Sequence, residues 1–439
     1  MTKSFPLSFR RVALVLASLL VCQVHAAESA YHPPLLPRIP KHSFKVTSYG
    51  AKGDGRTDNT RAVQAAINAA SAAGGGTVVL AHGDFLCGPV KLASHVGLRV
   101  EEGSTLRMLP LGQYPGGSSH PGHFISGANL TDVAIGGAGT IDGQGGAWWP
   151  LVNKKGANRP HMIHLASCSR VLIENLRLKN SPMFHIAVGG QSSNITVRHV
   201  IIRAPASDDP VNPSHNTDAC DVDGTHILIR DCDVSVGDDN FTCGGGTSDV
   251  LITHCTYGHG HGVSIGSPIR GGVSNLTVSD CTFKGTECGI RIKSDRDRGG
   301  VVSHITYRSL RMTGVRFPIL IYGTYLAKDG RYRNLNKLTP EIAATYPKAP
   351  VTERTPVYRD IKFSHITATA QKGRAAGLIW GLPEAPVSGV VLEHVHITAD
   401  RPFAICNAKG VRFEHSKIST PKGVPPLVSA GAKVEGLGR

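Results

Sequence analysis

Carboxylates cluster at two tight places in this 439-residue sequence, Asn216-Thr217-Asp218 and, about one repeat later, Gly237-Asp238-Asp239-Asn240. Acid–base cleavage of a glycosidic bond requires a carboxylic acid to protonate the leaving oxygen and a carboxylate to activate water. Crowding like charges raises one pKa and keeps that group protonated. Asp and Asn at turns also bond to backbone or hold calcium, so spacing alone leaves structure and chemistry evenly balanced. Two further groups follow at similar intervals, Gly258-His259-Gly260-His261-Gly262 and Arg291-Ile292-Lys293. A lone histidine is more often structural and a lone basic pair more often solvated. Strand alternation, however, puts Arg291 and Lys293 on one side, where a guanidinium fork and an ammonium could hold a sugar carboxylate.

The elements that must position these groups are repeats. Ser169-Arg170-Val171-Leu172-Ile173 recurs as Ser193-Asn194-Ile195-Thr196-Val197, Thr225-His226-Ile227-Leu228-Ile229, Ser248-Asp249-Val250-Leu251-Ile252 and onward to Lys409-Gly410-Val411-Arg412-Phe413. Each unit alternates inward apolar with outward polar positions, as a strand with one buried face does. One unit cannot bury that face alone, so successive coils must stack. Leucine-rich repeats have a similar period but need a leucine and asparagine consensus that is missing. The expected fold is an all-β, right-handed parallel β-helix forming a single domain over residues 27–439. Asn59 to Ala73 breaks the pattern with apolar residues at helical spacing and stops at Gly74-Gly75-Gly76. That segment, within a cap region of residues 43–92, is expected to close the apolar end of the solenoid. Residues 327–356 interrupt the repeats as a long loop insertion, a common way to shape a cleft.

Residues 1–26 read as a cleaved secretory leader, with Lys3, Arg10 and Arg11 before an apolar run and Val24-His25-Ala26 before the cut. The run is too short to span a bilayer, and no other stretch predicts a membrane segment. The chain carries a net charge of +15, and removing the leader leaves 44 basic against 32 acidic residues. Such a chain favours a polyanion; export makes an acidic polysaccharide a better partner than nucleic acid. Nine cysteines remain after cleavage, an odd number. Cys232, Cys255 and Cys281 recur at one place in the repeat, so they should stack about 4.8 Å apart, as a ladder of packed thiols rather than disulfides. No paired C-x-x-C spacing suggests zinc.

Four motifs in order, N-T-D at Asn216 to Asp218, G-D-D at Gly237 to Asp239, G-H-G at Gly260 to Gly262 and R-I-K at Arg291 to Lys293, resemble those of the polygalacturonase family of pectin-degrading glycoside hydrolases. Similarity extends through Tyr49 to Gly55, Gly139 to Gly145, Asn180-Ser181-Pro182 and Ser264 to Ser267. The resemblance implies Asp238 as general acid, Asp218 and Asp239 as the groups activating water, and His261 bonded within the cluster. It also implies Asn216, Arg291, Lys293 and Tyr325 as substrate contacts, inversion at the anomeric carbon, and no metal or organic cofactor. Between the two overlapping G-H-G triplets, Val263-Ser264-Ile265-Gly266 selects His261, leaving His259 as an exposed turn residue or, alternatively, a second substrate contact. Ala219 replaces the family's usual Gly, and Tyr322-Gly323-Thr324 departs from its acidic motif. The expected activity is hydrolysis of de-esterified pectin by internal cleavage, acting as a secreted monomer. The alternatives are attack from the chain end, a rhamnogalacturonan or xylogalacturonan backbone, calcium-dependent elimination, and a non-catalytic β-helical binding protein.

Overall fold

A computed structural model describes residues 31–335 and 339–437 of the chain; the expected leader lies outside them. The repeats form 32 parallel strands, each paired with strands one coil away, and the whole is a right-handed parallel β-helix. Val171, Ile195, Ile227, Val250, Leu276 and Ile305 are direct cross-coil partners, and all are buried. Burying each such side chain is worth about 1.5–3 kcal/mol. The residue before each of them turns the corner with a left-handed backbone: φ is 57° at Asn194, 59° at Asp249 and 51° at Asn275, and Gly389 and Gly410 hold the same place. Short polar side chains and glycine tolerate that conformation best, which explains the Asn, Asp and Gly seen there.

A second left-handed corner, at Asp231, His254 and Asp280, precedes Cys232, Cys255 and Cys281. These three are buried and unoxidised, as are all nine described cysteines. The position is simply an inward one, taken by Leu310 and Ile366 in later coils.

Helix α1, Thr60–Ala72, buries Val63, Ala66, Ile67 and Ala70 against the first coil. The glycines after it carry positive φ, 81° at Gly74 and 121° at Gly75, and a Cβ on Gly75 would stand 2.6 Å from the His95 carbonyl oxygen. Helix and strand therefore separate where only glycine fits.

The strands that carry the candidate site lie in one sheet: β1 (Cys220–Arg230), β2 (Phe241–Cys243), β3 (Val263–Ile265), β4 (Cys288–Lys293), β5 (Phe317–Tyr322) and β6 (Ala375–Trp380). Inward runs Phe241, Val263, Ile290 and Ile319; outward, one residue on, run Thr242, Ser264, Arg291, Leu320 and Leu378. Asp221 pairs with Thr242 in the same outward row. In the insertion, α2 (Gly330–Arg333) and α3 (Pro340–Ala344) are short helices. Tyr332, Ala343 and Ala327 pack there with Leu320, Tyr322, Leu378 and Trp380 as a second apolar cluster.

Candidate active site

Asp218, Asp238 and Asp239 occupy the turns just before β1 and β2, and stacking brings them together. The Ala219 amide donates to the Asp239 carbonyl (2.9 Å), so the small residue at 219 lies against the neighbouring coil, fully buried. His261 reaches in from the turn before β3: its Nδ1 is 3.0 Å from Asp238 Oδ1 and its Nε2 is 3.0 Å from Glu287 Oε2. His259 does not join them. It is half-buried rather than exposed, with Nε2 2.8 Å from the Ala204 carbonyl oxygen, because the turn at Gly260 points the two rings to different partners.

Arg291 and Lys293 do project on one side, but both engage Asp239. Lys293 Nζ donates to Oδ2 at 2.9 Å, while the Arg291 guanidinium pairs with Oδ1 and donates through Nε to Ser264 Oγ at 2.9 Å. Ser264 Oγ in turn donates to Asp239 Oδ1 at 2.7 Å. Asp239, in the turn one coil before Ser264, is the counter-charge that both cations meet. Tyr325 enters the site through Lys293, whose Nζ lies 5.1 Å from its ring centroid. Asn216 supports Asp238, its backbone N–H and Nδ2 lying 3.3 and 3.4 Å from Oδ2, and accepts from Arg159 Nη2 at 2.8 Å.

The carboxyls are driven apart electrostatically. Burial, then the charges of Asp238 and Asp239, pushes Asp218 well above the usual carboxylate range. Its Oδ1 is buried with no hydrogen-bond partner among the described residues. Burial also opposes ionisation of Asp239, but Arg291, Lys293 and His261 outweigh it and hold the group below the usual range. At Asp238, burial is outweighed by the hydrogen bond and charge of His261, and the net shift is downward. For His261, burial and Arg291 act against protonation, yet the bonds to Asp238 and Glu287 prevail and push it up to about 9. A neutral acid beside ionised ones is the arrangement that acid–base chemistry uses.

The motifs left out Glu287, Asp221 and Arg159. Glu287, held down to about 2 chiefly by its His261 bond, lies four residues before Arg291 with the same parity as Arg291 and Lys293. Asp221, pushed up to about 7 by burial and then by Asp223 and Asp239, alternates outward on β1. Period-2 counting back from Arg291 reaches Glu287, whereas Asp221, three residues past Asp218, has the opposite parity and is missed by counting from that motif. Arg159 comes from a distant loop that no spacing connects to Asn216. It bonds the His215 and Pro182 carbonyls at 2.7 and 3.2 Å, and beside it His123, His161 and Asn158 line a pocket of about 450 Å³. Asp238, Asp239 and His261 also offer three converging metal-ligand atoms. Both oxygens of Asp239 already face cations, however, and His261 is charged, so this donor set suits a proton network better than a metal ion.

A β-helix bearing clustered carboxyls and a cation pair on one outer sheet face defines a carbohydrate-cleaving enzyme, and the comparisons agree. The model for glycosyl hydrolases family 28 matches residues 72–417, and one described as rhamnogalacturonase A/epimerase, pectate lyase-like, matches residues 43–99. An exopolygalacturonase of Zea mays is 32% identical over 392 residues, covering 84% of this chain and 88% of that one. An endo-polygalacturonase of Pectobacterium carotovorum subsp. carotovorum is 31% identical over 381 residues, covering 79% and 86%. Among solved structures, the polygalacturonase from Erwinia carotovora ssp. carotovora superposes with a TM-score of 0.66 at 27% identity, covering 92% of this chain and 98% of that one. The chain belongs to glycosyl hydrolases family 28, and it is a glycoside hydrolase.

Proposed function

We propose that this enzyme hydrolyses the α-1,4-galacturonosidic bonds of de-esterified pectin with inversion, and that it acts outside the cytoplasm as a monomer. The observation that carries the reading is the convergence of Asp218, Asp238, Asp239 and His261 with Arg291 and Lys293, three acids and three cations in one cluster. Asp238 is the general acid. Its proton comes from His261 Nδ1, 3.0 Å away: transfer within the pair gives neutral imidazole and neutral carboxyl with no change in net charge. Asp238 then protonates the leaving oxygen while water attacks the opposite face of the sugar and gives its proton to Asp239, the ionised one of the two remaining acids. Asp218, a neutral acid with an unpartnered Oδ1, is placed to hold that water by hydrogen bonding, and Arg291 and Lys293 flank Asp239. As substrate enters, the sugar carboxylate shares those two cations with Asp239.

Internal attack is the first reading. Attack from the chain end is favoured by one observation, the insertion lying over Leu320 and Tyr322 one coil beyond Arg291 and Lys293, where it closes that side of the sheet face. Timed analysis of products from polygalacturonate separates the two: mixed oligomers mean internal cleavage, mono- or disaccharide alone means chain-end cleavage. Release of reducing ends is expected to persist in chelator. Unsaturated, ultraviolet-absorbing products that require calcium would establish elimination and overturn the hydrolytic reading.

A further inference from the structure

Ahead of the first strand, residues 31–40 read Tyr-His-Pro-Pro-Leu-Leu-Pro-Arg-Ile-Pro and form no helix or strand. Four prolines favour an extended, polyproline-like path with no internal hydrogen bonds, so the remaining amides need outside acceptors. Every third one finds a corner side chain: His32 N–H donates to Asp249, Leu35 N–H to Asn194 (2.9 Å) and Arg38 N–H to Asp132 (2.9 Å). Three polyproline residues advance about 9.3 Å and two coils about 9.6 Å. The segment is therefore a strap that steps across alternate corners of the solenoid in register with it.

The three anchor points differ in charge. Asn194 is neutral. Asp132, nearly fully buried, is neutralised by the Arg170 guanidinium through two bonds of 2.6 and 2.7 Å. Asp249 is as well buried, 6% exposed, yet its ion-pairing partners among the described residues are two imidazoles. His226 Nδ1 is 2.6 Å and His32 Nδ1 3.4 Å from the same oxygen, Oδ2, and the rings stand edge to face at 87°. On Oδ1, Asn275 Nδ2 and the His32 amide each donate at 3.1 Å, and the same amide also lies 3.2 Å from Oδ2. Beside them the Tyr31 hydroxyl is buried without a partner among the described residues, and Asp249 is close enough to disfavour its ionisation further after burial has done so.

We propose that His32, His226 and Asp249 bind one divalent transition-metal ion of the zinc class, which staples the strap to the coil corners. The three ligand atoms lie within 4.8 Å of one another. Around a tetrahedral ion with bonds of about 2.0–2.2 Å, ligand atoms stand about 3.3 Å apart, close to the 3.4 Å between His32 Nδ1 and Asp249 Oδ2. The shorter His226 contact is a hydrogen bond whose proton the ion replaces, the ring retreating by under about 1 Å. Two imidazoles in a set of three select zinc, cobalt, nickel or copper over calcium or magnesium. Asn275 and the His32 amide hold the carboxylate with Oδ2 as its ligand oxygen, as supporting bonds around metal ligands do. His32 is largely exposed, 69% at its side chain, which leaves a fourth position for water. His226 lies eight residues beyond Asp218 and Asp249 ten beyond Asp239, at a further corner of the same coils, so the site serves the fold and not the reaction.

The test uses the full mature chain, stripped with chelator, and zinc titrated by equilibrium dialysis at about pH 7.5, where ordinary imidazoles are neutral. One equivalent is expected to bind and to raise Tm. His32→Ala and His226→Ala should each weaken that equivalent by at least about tenfold and abolish the Tm response, while hydrolysis at 25 °C without metal matches wild type and reports an intact fold. Absence of a saturable equivalent overturns the proposal. So does an equivalent that both variants bind as tightly as wild type, which would place the ion elsewhere, for example on the stacked His365, His394 and His415.

Discussion

One sheet face carries two unlike regions. From Asp221 through Thr242, Ser264 and Arg291 the outward row is polar and lined with charge; at Leu320, Leu378 and Ala404 the same row becomes apolar. The neighbouring row changes in step, from Lys293 to Tyr322, Trp380 and Cys406. Inward residues stay apolar throughout, so the coil scaffold is indifferent to the change. The polar region gathers buried charges that satisfy one another, whereas the apolar region is sealed by α2, α3 and the loop around them. Backbone stacking supplies position, and the outward residue at each position decides between chemistry and packing.

The largest effects should come from removing charge in the polar region. Arg291→Met leaves the buried Asp239 short of its main counter-charge and is expected to cost about 3–5 kcal/mol of stability, seen as a lower denaturant midpoint, together with loss of turnover. Trp380→Ala, fully buried in the apolar region, should cost a similar 3–5 kcal/mol while kcat per folded molecule changes little. Equal kinetic damage from both would erase the distinction between the regions. His261→Ala is expected to lower kcat by about 10²–10³-fold, and His259→Ala, whose partner is a backbone carbonyl, by less than about tenfold. The reverse order would place the wrong imidazole in the cluster.

Much of this was legible in the sequence because the code is local. Recurring period-2 alternation marks the inward face, so coil stacking follows; the left-handed corner before each apolar pair was not expected, and Arg170, His226 and His304 hold it as well as Asn, Asp and Gly. The four motifs then land at one side of successive coils. Less legible was what the row does with its charges: Arg291 and Lys293 were expected to face a sugar carboxylate, and the register instead gives them Asp239 as an immediate partner. Arg159 was invisible because its contact with Asn216 spans 57 residues and depends on how a loop folds back. The corner residues His226 and Asp249 were counted as repeat positions, and only the path of the strap brings His32 to them.

A smaller effect concerns pH. His261 is raised to about 9, so its contribution to stability is complete below the ordinary imidazole value near 6.5 and is lost as pH rises through about 9. Glu287 is lowered to about 2, so its contribution is complete above about 4.5 and is lost as pH falls through about 2. Thermal midpoints should therefore be flat between roughly pH 4.5 and 6.5 and decline on both sides. Glu287→Gln should remove the acid-side decline assigned to it and bring the alkaline decline to lower pH, because His261 loses a carboxylate partner. An unchanged alkaline limb would detach Glu287 from His261.

The central claim is that Asp238 delivers the proton that His261 passes to it. Asp238→Asn keeps nearly the same shape but can neither take up nor deliver that proton, and steady-state hydrolysis of polygalacturonate by a variant of wild-type circular dichroism measures the result. The account predicts a kcat at least about 10³-fold lower, about 4 kcal/mol in barrier. Turnover above about a tenth of wild type, less than about 1.4 kcal/mol, would contradict it and move the acid role elsewhere, with Asp218 the next group to test.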